Sequence, residues 1–68
     1  MTEWVNVRSS AIRKIGYDTD TNRMYIDFED SNPVYTYCSV PEELFCEFVS
    51  ARSVGGFYHQ YIKDKYDC

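Results

Sequence analysis

At Pro41 the hydrophobic pattern of this chain changes its period. Upstream, in the stretch MYIDFE, Met24, Ile26 and Phe28 point one way and Tyr25, Asp27 and Glu29 the other. That is the period-2 alternation of a half-buried strand. Downstream, Leu44, Phe45, Phe48 and Val49 recur at one-, three- and four-residue spacings, the apolar stripe of an amphipathic helix. Proline suits the first position of a helix, because its missing N–H would have no partner there. Glu42 and Glu43 follow in the first turn, where negative charge complements the helix dipole. Strands first and helices afterwards is the order of an α+β domain, with helices gathered on one side of an antiparallel sheet.

The rest of the chain fits that order. AIRKIGY (Ala11–Tyr17) is β-leaning, and the polar run DTDTNR after it is rich in turn residues. A second turn is expected at DSNP, where Pro33 cannot donate to a ladder. VYTYCSV (Val34–Val40) reads as a further strand. The first helix is expected to end near Ala51 or Arg52. A second begins at Ser53, a residue suited to the N-cap, and carries Phe57, Tyr58, Tyr61, Ile62 and Tyr66 on its apolar face. The expected architecture is a three-stranded antiparallel meander followed by two helices packed on one face.

A chain of 68 residues makes one domain, spanning 1–68. A domain of that size buries only about 60% of the surface its unfolded chain exposes. Seven Tyr, four Phe and one Trp offer compensation, since an aromatic ring buries roughly 150–250 Å². The formal charge of −4 argues against broad, non-specific phosphate binding. The charge is uneven: Arg8, Arg13 and Lys14 lie early, whereas Asp27, Glu29, Asp30, Glu42, Glu43 and Glu47 crowd the middle. The three cysteines, an odd number without a secretory signal, imply a reduced cytoplasmic chain. Cys38 and Cys46 are expected to pack as small apolar groups, and Cys68 to be mobile. No apolar stretch approaches the ~20 residues that cross a bilayer, so a soluble protein with no membrane association is expected.

The ordered set VRSSAIRKIGYD (Val7–Asp18), MYIDF (Met24–Phe28), VYTY (Val34–Tyr37), SVP (Ser39–Pro41) and SARSVGGFYHQYI (Ser50–Ile62) resembles the KTSC domain family, small domains named from the C-terminal extension of some lysyl-tRNA synthetases and found alone in bacterial and phage proteins. The resemblance covers nearly the whole chain. Tyr35-x-Tyr37 looks like the family's central signature, and the Ser-x-Gly followed by two aromatics like its second helix entry. His59 stands where the family pattern has Asn. The synthetase context implies a role in RNA binding.

Tyr35 and Tyr37 share one face of a strand. Packed on the helices they are core; exposed, they stack unpaired bases at roughly 1–3 kcal/mol each. At RSVGGFY, Ser53 caps a helix whose first turn holds Gly55 and Gly56. Its bare amides and Arg52 could take an anion, or the glycines could allow close helix packing. Arg13 and Lys14 are either phosphate contacts or solvated strand charges. The candidate ligand-binding residues are therefore Tyr35, Tyr37, Arg13, Lys14, Arg52, Ser53, Gly55 and Gly56. The three cysteines and His59 have no metal-ligand spacing, and no nucleophile–base–orienter set is present. No metal, cofactor or catalytic activity is expected. The expected function is a non-catalytic binding module for RNA or another nucleic acid. The alternative is a phage or mobile-element protein that binds and modulates a host protein through its acidic band or exposed aromatics. Exposed sheet edges could also pair two copies into a homo-oligomer.

Overall fold

The computed structural model describes residues 1–30 and 33–68. Four strands form one antiparallel sheet in chain order: β1 (Thr2–Asn6), β2 (Ile12–Asp18), β3 (Arg23–Phe28) and β4 (Tyr35–Tyr37). Helix α1 (Glu42–Val49) follows, then a short α2 (Val54–Phe57) that runs straight into a π-helical turn, Tyr58–Ile62. The fold is α+β, as expected, but the sheet has four strands rather than three. The missed strand is β1, which pairs with β2 from Thr2↔Asp18 to Asn6↔Lys14. Its alternation is masked in the sequence. On the core side it carries Glu3 and Val5, and on the far side it carries the large apolar Trp4, so neither face reads as cleanly apolar or polar.

β2, within the segment expected to be β-leaning, carries an irregularity that its sequence did not announce. Ile12 pairs with Phe28 and Lys14 with Asp27, so Arg13 is the extra residue of a β-bulge. The bulge lets Ile12 and Ile15, three apart, both face the core. Beside them Tyr17, Met24 and Ile26 are fully buried. Tyr37 pairs with Met24 and Tyr35 with Ile26, which puts both tyrosines on the helix-covered face of the sheet. The expected strand Val34–Val40 is ordered as a ladder only over Tyr35–Tyr37. Ser39 adopts a left-handed φ of 57° and turns the chain so that Val40 is buried. Residues 31 and 32 of the expected turn at DSNP lie outside the described residues.

The helices close the core. α1 buries Phe45 and Phe48, with Phe45 stacked on Tyr17 at 4.9 Å between ring centroids. The Tyr17 hydroxyl donates to the Val40 carbonyl at 2.6 Å, which satisfies the one polar atom of that buried ring. Ser53 is the N-cap of α2, and its Oγ accepts the Gly56 N–H at 3.1 Å. The second helix does not keep an α-helical period. The Lys63 N–H reaches back to the Tyr58 carbonyl at 2.8 Å, closing a wider turn. Of the expected apolar face, Ile62 is buried, Phe57, Tyr58 and Tyr66 are half-buried, and Tyr61 is exposed.

The cysteines depart from expectation. Cys38 and Cys68 are joined by a disulfide rather than reduced, so Cys68 is tied to the end of β4 and not loose. The Cys38 N–H donates to the Tyr66 carbonyl at 2.9 Å, and Asp67 bridges to Tyr37 as the start of a further antiparallel rung. Cys46 lies exposed on α1 instead of packing as an apolar group.

Candidate functional site

The sheet is covered by helices on one face, and on that face it is core. Its other face is helix-free, and alternation places Trp4, Lys14, Gly16, Arg23 and Tyr25 there, together with the acids Asp18 and Asp27. Trp4 is the only tryptophan, and it remains 44% exposed. Its ring rests on Gly16: a Cβ at that position would lie 2.9 Å from two carbons of the indole. Glycine in the middle of a central strand is otherwise unfavourable, and here it makes the seat for the indole. The Lys14 ammonium stands 4.7 Å from the indole centroid, a cation–π distance. Tyr25, from β3 on the other side of Gly16, lies 6.1 Å from Trp4 between centroids, tilted by 35°. The bulge at Arg13 sends the guanidinium to Asp27 at 3.8 Å and to Glu29 at 3.5 Å. Two acids of the sequence's acidic band are thereby engaged with a cation of the same face.

A second feature is a concavity of about 360 Å³ at the outer edge of β4, beside the tail. Tyr35, Thr36 and Tyr37 form one side, and Tyr58, Lys63, Asp64 and Asp67 the other. The tyrosine pair divides. Tyr37 is 5% exposed and belongs to the core, whereas Tyr35 is 48% exposed at the rim. The Tyr37 and Tyr58 hydroxyls are 3.2 Å apart and form one hydrogen bond, in which either can donate. Burial first, then the hydrogen bond to Tyr58, holds the Tyr37 phenol well above the usual tyrosine range. Phe28 stands edge-on to both Tyr35 and Tyr58, each at 5.3 Å between centroids.

The structure does not gather the sequence-expected residues into one place. Tyr35 and Tyr37 line the β4 concavity. Lys14 is on the helix-free face, where Arg13 makes its ion pairs. Arg52 and Ser53 are exposed in the corner between α1 and α2. There the Gly56 N–H is already taken by Ser53, and a Cβ at Gly55 would meet nothing within 4 Å, so close packing does not require glycine at that position. Trp4, Tyr25, Tyr58 and Asp67 were not among the expected residues. Tyr25 was legible as an outward residue of a strand. Trp4 was hidden with its strand, and Tyr58 and Asp67 depend on the π turn and the tail.

An antiparallel four-stranded meander with its helices on one face defines a small α+β module. The KTSC domain model matches residues 8–66, and the chain belongs to that family. A crystal structure of a KTSC domain protein from Yersinia pestis superposes with a TM-score of 0.90 at 38% identity, covering 97% of this chain and 92% of that one. An uncharacterized protein from Stutzerimonas stutzeri (strain A1501) is 31% identical over 62 residues, 91% of this chain and 86% of its own length. Among the described residues, no helix is long and apolar enough to cross a membrane.

Proposed function

We propose that this chain is a non-catalytic binding module for single-stranded nucleic acid, RNA foremost, and that the helix-free face of its sheet is the contact surface. The observation that carries the reading is the Trp4 indole, seated on Gly16, half-exposed and attended by the Lys14 ammonium at 4.7 Å. Unpaired bases stack on such rings at roughly 1–3 kcal/mol per base, with little dependence on sequence. Tyr25 offers a second ring on β3, across Gly16. An incoming base would take the place of Lys14 over the indole, and the displaced ammonium would move to the flanking phosphate. Arg23 supplies another exposed cation on the same face. A chain with net charge −4 binds no long phosphate track, so the interaction is short and led by stacking.

Fluorescence anisotropy of a labelled single-stranded RNA tests this. Two phosphate contacts give a slope of log K against log salt near −1.4, and Lys14→Ala reduces its magnitude by about 0.7. Trp4→Ala weakens binding about tenfold or more. Binding indifferent to both substitutions would refute the reading.

A second reading has its own support: α1 exposes Glu42, Glu43 and Glu47 away from its buried Phe45 and Phe48. Such a face suits a basic partner protein, including a host protein that the chain modulates. A partner captured from lysate that survives RNase and is lost on Glu43→Lys with Glu47→Lys would favour it.

A further inference from the structure

The concavity beside β4 differs in chemistry from the Trp4 face. Its walls are tyrosine rings and its charged groups are Asp64, Asp67 and Lys63, a net negative balance. Among the described residues, no ion pair within 4 Å engages any of the three. A phosphate would meet two carboxylates there, whereas a cation would meet ring faces and carboxylates together. The rings are set at steep angles: Tyr37 and Tyr58 are inclined by 72°, and Phe28 braces Tyr35 and Tyr58 from behind at 67° and 76°. Of these rings Tyr35 is exposed and Tyr58 half-buried, so both can meet a cation, which aromatic rings attract.

The walls are also held in place. The π turn links Lys63 to Tyr58 through its N–H. The Asp67 bridge to Tyr37 and the Cys38–Cys68 disulfide pin the tail against β4. A preformed site avoids the ordering cost that weakens binding by mobile loops.

We propose that this concavity is a binding site for an organic cation, a guanidinium or alkylammonium head group, received against Tyr35 and Tyr58 and neutralised by Asp64 and Asp67. The proposal is independent of the nucleic-acid reading, which uses the other face of the sheet. The head group could belong to a free polyamine or to an arginine or lysine side chain of a protein, and the two sources share this chemistry. Lys63 then acts as a competing charge at the mouth of the site.

The test follows tyrosine ring resonances during titration with spermidine, with a capped Gly-Arg-Gly peptide and with sodium phosphate. The proposal expects Tyr35 and Tyr58 to shift saturably with at least one of the cations and not with phosphate. Stronger binding of spermidine identifies the free amine as the source, and stronger binding of the peptide identifies a side chain. Tyr35→Ala, at a position 48% exposed, weakens binding about tenfold. Asp67→Asn weakens it with a steeper loss at low salt, and Lys63→Ala tightens it a few-fold. Absence of saturable shifts with both cations, saturable binding of phosphate, or weaker cation binding in Lys63→Ala would overturn the proposal.

Discussion

Single residues decide both faces of the sheet. Gly16 is small because Trp4 lies on it. Gly16→Ala must push the indole outward, since a Cβ there would sit 2.9 Å from its ring carbons. Trp4 is half-exposed and can lift, so the expected stability loss is about 1 kcal/mol, at the low end for overpacking. The expected optical sign is a red-shifted tryptophan emission, which is unambiguous because the chain has one tryptophan. Tyr37 and Tyr17 make a second residue-scale prediction. Burial raises both phenols above the ordinary value of 10. A group whose folded pKa is raised contributes stability that is complete below its unfolded pKa and is lost as pH rises through the folded one. Stability should therefore be flat with respect to these tyrosines up to about pH 10 and fall beyond it. Tyr37→Phe should soften that alkaline fall, as measured by denaturant unfolding at graded pH.

The elements differ in how much of them the sequence exposes. β3 was legible because Met24, Ile26 and Phe28 alternate with polar neighbours. α1 was legible because its stripe of Phe45 and Phe48 is flanked by first-turn acids and begins at a proline. β1 was not, because an edge strand with Trp4 on its open face breaks alternation. The π turn was not, because nothing in FYHQYI distinguishes an i→i+5 closure from an α-helical one before tertiary contacts act. Ser53 as the start of the second helix was legible from residue type, and its cap is present. Ser53→Ala should cost about 1 kcal/mol, the usual worth of such a cap, and leave nucleic-acid affinity unchanged. A loss of RNA binding with intact stability would instead move the contact surface to the α1–α2 corner. For the candidate site, sequence reasoning found Lys14 and Tyr35 but assigned them to one surface. They lie on opposite faces of the sheet, and only the register of β1 and β3 against β2 reveals it.

At the scale of the molecule, a small core is supplemented by a covalent closure that cysteine counting did not anticipate. The odd number of cysteines pointed to thiols, whereas adjacency of the tail and β4 joins Cys38 to Cys68, 30 residues apart. Closing a loop of that length stabilises the fold by about 3–4 kcal/mol in the chain-entropy account. Adding a dithiol reductant should lower the melting temperature markedly, and Cys46→Ala should leave that effect intact. An unchanged melting temperature on reduction would show that the cross-link contributes little. The molecule then presents two chemically distinct surfaces: aromatic with mixed charges on the open sheet, aromatic and net anionic at the β4 edge.

The central claim is that the helix-free face is where the chain meets single-stranded nucleic acid. The most direct measurement is a map of backbone amide resonances as a short single-stranded RNA is added at low salt. The account predicts saturable shifts centred on Trp4, Lys14, Gly16 and Tyr25, with the indole N–H among the largest and the shifts suppressed by added salt. Shifts confined to α1 or to the β4 edge, or none at all, would contradict it.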